Sequence, residues 1–213
     1  MAFDLEQQER IDTLKGWWDR FGNTILTAII VVMLGILAWY GWNWYQSSQV
    51  KQALGYYEIV QTSAVSTDAD SQARLEQATA ELKKNYEDTA YAARGALLAA
   101  DFYLRGGNID KAAQELNWLA GRGSDFPELL PVAKLRLASV YADQKKFDEA
   151  LEQLNNPPEA FKALYDDRKG DVLIAQGKKP EAVAAWRSAL SGQRLPAAFV
   201  NTIQLKISAL GGE

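Results

Sequence analysis

The hydrophobic positions of this chain follow two different patterns, and the change between them divides the sequence. From Thr24 to Tyr45 apolar residues run almost without interruption, and no charged residue occurs between Arg20 and Lys51. A helix needs about 20 apolar residues to cross a hydrocarbon core about 30 Å thick. After Gln46 the apolar residues recur every three or four positions, which is the spacing of amphipathic helices. The pattern therefore predicts one membrane-spanning helix followed by an all-α domain.

Aromatic residues flank both ends of the apolar segment. Three precede it (Trp17, Trp18 and Phe21), and five crowd its end (Trp39, Tyr40, Trp42, Trp44 and Tyr45). Amphipathic rings favour the headgroup layers of a bilayer, so these flanks fit a spanning helix better than the buried helix of a soluble protein. A cleaved signal peptide is the other alternative, but bulky rings fill the place where a small-residue cleavage site would lie. A lipoprotein is excluded because the chain has no cysteine to acylate.

These features divide the chain into three ranges: a tail at 1–22, a transmembrane signal-anchor helix at 23–45 and a helical repeat domain at 46–213. The tail forms either an amphipathic helix at the membrane surface or a frayed end. In the helical alternative its apolar side carries Leu5, Ile11, Leu14 and the two tryptophans.

The distribution of basic residues predicts the orientation of the spanning helix. The tail contains three basic residues, whereas residues 46–65 contain only Lys51. Basic residues resist translocation, so we expect a cytoplasmic N-terminus and a C-terminal domain on the far side of the membrane. In a bacterial cell this describes a single-pass inner-membrane protein whose C-terminal domain is periplasmic.

Three later segments share one layout, in which a helix, a polar turn and a second helix follow each other. They cover residues 91–120, 131–156 and 163–190. Ala112, Ala150 and Ala182 occupy equivalent positions in the second helices, at intervals of 38 and 32 residues. These intervals bracket the period of about 34 residues of tetratricopeptide repeats. The segments therefore predict a tetratricopeptide-like α-solenoid.

Small residues mark the places where the helices of each hairpin approach within about 8–10 Å of each other. The predicted pairs are Ala100 with Ala112, Ala138 with Ala150, and Gly170 with Ala182. Bulky residues are expected to fill the spaces between hairpins: Tyr103, Leu116, Leu119, Leu137, Tyr141, Leu154, Leu173 and Trp186. Helices at 50–61 and 71–85, separated by a loop at 63–71, are interpreted as a degenerate first repeat. A helix at 196–210 is expected to cap the array.

Composition narrows the possible functions. The chain carries 27 acidic and 23 basic residues and contains neither histidine nor cysteine. It lacks the basic footprint of a nucleic-acid-binding protein. It also lacks the usual transition-metal ligands and the histidine of Ser-His and Cys-His pairs. We therefore expect no enzymatic activity, cofactor or metal. A Ser-Lys hydrolase is the alternative class.

Stacked helical hairpins commonly bind peptides or partner helices on the surface formed by their first helices. Projection of the repeat pattern onto this surface predicts a protein-binding groove lined by Arg94, Leu97, Asp101, Arg105, Leu135, Ser139, Asp143, Asp167 and Asp171. For each residue taken singly the favoured alternative is a solvated helix face, whereas the nine together predict a docking groove.

Several stretches along the chain resemble one protein family. They are the aromatic end of the span, WYGWNWYQSSQV, then ALGYYEIV, TAYAARGALLAADFYLRGGNIDKAAQELNWL, LRLASVYADQKKFDEAL and LYDDRKGDVLIAQGKKPEAVAAWRSAL. Together with the short acidic tail they resemble the YfgM family, the ancillary subunit of the bacterial Sec translocon. Residues 168–178 are the most characteristic part of this resemblance.

The resemblance implies a non-catalytic inner-membrane protein that associates with the SecYEG translocon and with a membrane-anchored PpiD-like periplasmic chaperone. Such a protein would help to pass translocated client proteins to periplasmic chaperones. A tetratricopeptide adaptor that coordinates cell-envelope growth or division is the alternative function. That kind of adaptor usually carries a cleavable signal, which the retained anchor does not match.

Overall fold

A computed structural model describes residues 2–192 and 195–211, with side chains from residue 10 onward. Residue 1 of the predicted tail and residues 193, 194, 212 and 213 of the predicted repeat domain lie outside the described residues, as does the side chain of Leu5. The helices are α1 (Ala2–Val65), α2 (Ser71–Asn85), α3 (Ala90–Arg105), α4 (Ile109–Gly121), α5 (Leu130–Asp143), α6 (Phe147–Gln153), α7 (Lys162–Ala175), α8 (Lys179–Leu190) and α9 (Ala197–Ser208). A short 3₁₀ helix, Glu159–Phe161, precedes α7. The predicted all-α class is confirmed, since the described residues contain helices and no strand.

The chain divides into two compact units, one ending at Lys51 and the other beginning at Gln52. The first unit contains the apolar part of α1, which is long and apolar enough to cross a membrane. Only 6% of its most apolar stretch is buried within the chain. A core helix of a soluble protein would be mostly covered by other elements, so this exposure fits a lipid-facing anchor.

The second unit consists of helical hairpins in the predicted order. α3 packs against α4, α5 against α6, and α7 against α8. The five alanines predicted at the helix crossings are all fully buried: Ala100, Ala112, Ala138, Ala150 and Ala182. Gly170 is also buried, and a Cβ atom added to it would lie 2.4 Å from the indole of Trp186. Small residues thus permit the close approach of the helices, as predicted.

The turns inside the three hairpins have the same backbone geometry. Gly107, Lys145 and Gly177 adopt positive φ angles of 74°, 61° and 80°. In each turn the following N–H donates to a carbonyl five residues upstream, at 2.8, 2.8 and 2.9 Å. A left-handed residue closing a helix in this way is typical of Schellman-type C-caps. Two of the three turns use glycine, whereas the middle turn places a lysine in the less favourable conformation.

The degenerate first repeat is formed by the end of α1 and by α2. Ala53 and Val60 of α1 share one core with Leu75 and Leu82 of α2. The loop predicted to begin at residue 63 was placed too early, because α1 continues to Val65. Ser63 and Ala64 are buried at 1% and 7% exposure. Packing of these small residues therefore overrides the turn-forming character of the sequence around them.

A set of side-chain hydrogen bonds joins each hairpin to the next one. Its members are Tyr86–Gln52, Lys111–Glu76, Lys83–Glu115, Arg136–Asp101, Gln144–Asp110, Tyr165–Pro131 and Lys206–Asp171. The partners are separated by 32 to 35 residues in sequence. Residues about one repeat length apart in sequence therefore meet between neighbouring hairpins and between the third hairpin and α9, which is consistent with the tetratricopeptide period.

The last described helix, α9, caps the third hairpin as predicted. Ile203 and Ile207 of α9 pack in one cluster with Leu173 of α7 and Trp186 of α8. These four residues are between 0% and 7% exposed. Without α9 the apolar side of the third hairpin would face solvent, so the helix closes this end of the core.

Candidate protein-binding surface

The nine residues predicted to line a groove fall into three groups, one on each first helix of the three recognisable repeats. Four lie on α3, three on α5 and two on α7. The first helices are neighbours within the second unit, because α5 packs against α7 and Arg136 of α5 bonds to α3. The structure thus places the groups along one row of helices.

On α3, Arg94 is exposed, while Leu97 and Asp101 are partly buried. Arg136 of α5 donates to a carboxylate oxygen of Asp101 at 2.7 Å and to the backbone carbonyl of Leu97 at 3.4 Å. Both side chains of the Arg136–Asp101 ion pair keep about a third of their surface exposed, at 35% and 37%. Such a pair contributes only about 0–1 kcal/mol to stability, so its main effect is to fix the register of α3 against α5.

Arg105, at the end of α3, lies against the end of α1 within the second unit. Its guanidinium donates to the carbonyl of Ala64 at 2.8 Å. This carbonyl belongs to the last turn of α1, where backbone acceptors lack a partner inside the helix. Arg105 therefore satisfies a helix C-terminus and joins the degenerate repeat to the first recognisable one.

On α5, Leu135 and Ser139 are partly buried and Asp143 is exposed. The hydroxyl of Ser139 donates to the carbonyl of Leu135 at 3.1 Å, and Leu135 packs on the core cluster that contains Ala138 and Ala150. Asp143 lines an open cavity of about 550 Å³ together with Gln144 and residues 106–110 of the preceding turn. Of the three, Asp143 presents the most accessible polar group.

On α7, both predicted aspartates are bound by the capping helix. Lys206 of α9 donates to Asp167 at 2.7 Å and to Asp171 at 2.6 Å. The indole N–H of Trp186 donates to the carbonyl of Asp167 and to a carboxylate oxygen of Asp171, both at 3.2 Å. Burial lowers the pKa of Lys206, but the hydrogen bonds to the two carboxylates outweigh it and raise the pKa above its ordinary value. The two acids thus fasten α9 to α7 and α8.

The sequence projection missed the cations that meet these acids. Arg136 lies 35 residues after Asp101, and Lys206 lies 35 residues after Asp171. Both separations are close to one repeat length. A search for opposite charges about one repeat apart within the hairpins would have found Arg136, whereas Lys206 lies in the capping helix, outside the repeats.

Comparison with known proteins now identifies the family. A model of a tetratricopeptide repeat-like domain matches residues 15–212. A protein of Haemophilus influenzae named ancillary SecYEG translocon subunit is 30% identical over 92% of this chain and 94% of its own length. Proteins of the same name from Neisseria gonorrhoeae and Escherichia coli are 29% and 26% identical, over 99% and 96% of this chain and 100% and 96% of their own lengths. The chain belongs to the YfgM family.

The match to the tetratricopeptide repeat-like model takes in both the apolar part of α1 and the repeat array, since it runs from residue 15 to residue 212. The relatives also align over nearly their full lengths. The similarity to these YfgM-family proteins therefore covers both the anchor and the helical repeats.

A second polar cluster in this YfgM-family chain lies between the second helices α2 and α4. Lys83 donates to Glu115 at 2.7 Å, and Lys111 forms an ion pair with Glu76. The hydrogen bonds from Lys111 and Gln72 hold the pKa of Glu76 below its usual range. Burial, together with the negative charges of Glu76 and Glu115, raises the pKa of the nearby Tyr103. All of these groups join the degenerate repeat to the first recognisable one.

Among the described residues, a lysine and a serine come together at a cavity between α7 and α8, an arrangement that bears on the Ser-Lys alternative. This cavity of about 740 Å³ is lined by Lys162, Ser188 and six further residues. Lys162 and Ser188 both donate to the same oxygen of Asp166, at 2.6 and 2.7 Å. Lys162 also donates to the hydroxyl of Ser188 at 3.3 Å. In this arrangement the lysine is a hydrogen-bond donor to the serine, whereas activation of a serine nucleophile needs a base that accepts its proton.

Proposed function

We propose that this chain is a membrane-tethered protein-binding scaffold that serves as an ancillary subunit of a SecYEG translocon. The observation that carries the proposal is the near-full-length match to relatives of that name, which share both anchor and repeats with it. The apolar segment of α1 supports a location in the membrane. The helical repeats supply a surface of the kind that binds other proteins.

We further propose a topology and a set of partners for the chain. The N-terminus is cytoplasmic and the repeat domain is periplasmic, as the excess of basic residues before the span favours. There the domain meets translocated client proteins and a membrane-anchored PpiD-like chaperone, and it helps to pass clients to periplasmic chaperones. No nucleic acid and no cofactor takes part.

The proposed contact surface is the row formed by the first helices of the repeats, α3, α5 and α7. Exposure and existing ion pairs determine which part of this row a partner can reach. Arg94 and Asp143 are exposed on α3 and α5. Asp167 and Asp171 are already bonded to Lys206. A partner therefore meets α3 and α5 first, and it reaches the two aspartates of α7 only if α9 is displaced.

Site-specific photo-crosslinking in intact membranes tests the assembly. Probes are placed at Tyr45, Arg94 and Asp143, all exposed. The matched control is Ala184, which is exposed on the second helix α8. We expect crosslinks to translocon or membrane-chaperone subunits from the first three positions and not from the control. Crosslinks only to factors of envelope growth or division would overturn the translocon function, and equal crosslinking from Ala184 would refute the proposed surface.

The orientation has its own test, because the chain lacks cysteine and any introduced thiol is unique. Arg94→Cys should react with a membrane-impermeant maleimide in spheroplasts whose outer membrane has been removed, whereas Asp12→Cys, on the other side of the span, should react only after lysis. The opposite pattern of labelling would reverse the proposed topology without affecting the fold.

A further inference from the structure

The part of α1 that precedes the membrane span has one strongly apolar face. Ile11, Leu14, Trp18 and Phe21 are spaced by three and four residues, so they lie along the same side of the helix. They are 52%, 68%, 54% and 45% exposed. Trp17 borders the same side and is 49% exposed. Five large apolar side chains in about three helical turns are therefore uncovered in this unit.

Four of the five charged residues of this segment are arranged around that face, and the fifth, Arg10, lies at the N-terminal end of the face, one turn before Leu14. At 3.6 residues per turn, Lys15 lies to one side of it and Arg20 to the other. Asp12 and Asp19 fall between these two bases on the opposite side of the helix. Bases that flank an apolar face, with acids turned away, complement an anionic lipid surface. The guanidinium of Arg20 lies 5.9 Å from the ring centroid of Phe21, which keeps charge and apolar surface together.

An upright continuation of the span would leave part of this face in water. The helix rises about 1.5 Å per residue, so Leu14 and Ile11 would stand about 16 and 21 Å beyond Ile25. The headgroup layer on one side of a bilayer is only about 5–8 Å thick. Trp18 and Phe21 would lie in or near this layer, whereas Leu14 and Ile11 would project past it.

We propose that residues 10–21 lie along the anionic surface of the membrane, with the apolar face in the boundary between headgroups and acyl chains. Lys15 and Arg20 then reach lipid phosphates, and Asp12 and Asp19 face water. This placement requires α1, which is continuous from Ala2 to Val65 in the structure, to bend at the membrane surface, and Gly22 is the residue beside the span with the weakest helix preference. The inference rests on membrane insertion of α1, but not on the association with a translocon.

Spin labels report the depth of this segment in the full-length chain. Single cysteines at Leu14, Asp12 and Val31 are labelled, and the protein is reconstituted in vesicles of phosphatidylcholine with phosphatidylglycerol. We expect the label at 14 to be shielded from a water-soluble nickel chelate and accessible to oxygen, and the label at 12 to show the reverse. The label at 31 lies inside the span and verifies insertion in the same preparation.

Equal exposure of the labels at 14 and 12 to the nickel chelate, with position 31 shielded, would overturn the proposal while leaving the membrane anchor intact. Exposure of position 31 would instead refute insertion itself. Dipolar broadening between labels at position 14 would show that a second copy, rather than lipid, covers the face, and would equally overturn the proposal.

The anionic character of the surface has a separate control. Replacing Lys15 and Arg20 together by glutamine should reduce the shielding at position 14 at least twofold, to the level found in vesicles of phosphatidylcholine alone. The matched variant, in which Asp12 and Asp19 become asparagine, should keep the shielding. Shielding that depends on neither lipid charge nor the two bases would contradict the anionic-lipid docking.

Discussion

Two glycine-to-alanine substitutions should have opposite effects on stability, because one glycine is covered by an indole and the other is open. A Cβ atom at Gly170 would lie 2.4 Å from atoms of Trp186, whose side chain is almost fully buried. A Cβ atom at Gly55 would meet no neighbouring atom within 4 Å. Both glycines lie inside helices, α7 and α1. The intrinsic gain in helix propensity is therefore the same at both sites, about 1 kcal/mol.

The structure decides the net sign at each site. Overpacking a tightly filled core costs about 1–3 kcal/mol, and the indole of Trp186 is further restrained by its bonds to Asp167 and Asp171. Because a Cβ atom at 2.4 Å would force the indole to move, we place this cost in the upper part of the range, at about 2–3 kcal/mol. After the propensity gain of about 1 kcal/mol, Gly170→Ala should destabilise the fold by about 1–2 kcal/mol. Gly55→Ala should stabilise it by about 0.5–1 kcal/mol. For a chain of this size the first change corresponds to a melting temperature lower by about 2–8 °C.

Thermal unfolding of the detergent-solubilised full chain, followed by far-ultraviolet circular dichroism, measures both changes. The decisive control is Gly170→Ala in a Trp186→Leu background, where the smaller side chain removes the clash and the effect of alanine should become neutral or stabilising. A Gly170→Ala variant that melts at or above the parent temperature would refute the packing of the indole against α7. A destabilised Gly55→Ala variant would show that this part of α1 is covered by another element.

Three further changes test the repeat geometry. Ala150→Leu should overpack the middle hairpin and destabilise it by about 1–3 kcal/mol in urea unfolding; an unchanged midpoint would mean that the repeat register is wrong. Lys145→Gly should raise the melting temperature, because a non-glycine residue in the left-handed conformation costs about 1–2 kcal/mol and glycine removes this cost. A lower melting temperature would contradict the positive φ angle. Lys206→Met should loosen α9, detected as faster hydrogen exchange in that helix. Folding raises the pKa of Lys206, so the stability that its ion pairs contribute is complete below the ordinary lysine pKa and is lost as the pH rises through the pKa of the folded state. A stability difference between variant and parent that persisted at strongly alkaline pH would argue against the ion pairs.

The periodicity of small residues was sufficient to predict the hairpins, because close helix crossings restrict side-chain size strongly. Ala100, Ala138 and Gly170 could be paired with their partners from spacing alone, and all are buried. Periodicity was insufficient at residue 63, where serine and alanine fit both a turn and a buried helix end. Burial against the rest of the first hairpin, which local sequence does not report, decided for the helix.

The candidate surface was less predictable than the fold for a related reason. A repeat pattern assigns Asp167 and Asp171 to a helix face, but it does not say what the capping helix presents to that face. α9 is not a copy of the preceding repeats, so Lys206 had no equivalent in the pattern. The contacts of the terminal elements of an array are the hardest to predict from the repeat pattern, because capping elements differ from the repeats.

The hydrogen bonds described above couple each hairpin mainly to its immediate neighbour. The stability of the domain is then the sum of the stability of each hairpin and the interaction energy at each interface between neighbours. Opening should then begin at an end, where a helix has a neighbour on one side only, as α9 does beside α8. The middle hairpin couples the two halves of the array through α4 and α7, yet its second helix, α6, is only 7 residues long. Loss of that hairpin would divide the array into two segments that open independently. The length of continuous surface available to a partner therefore depends on the short helix α6.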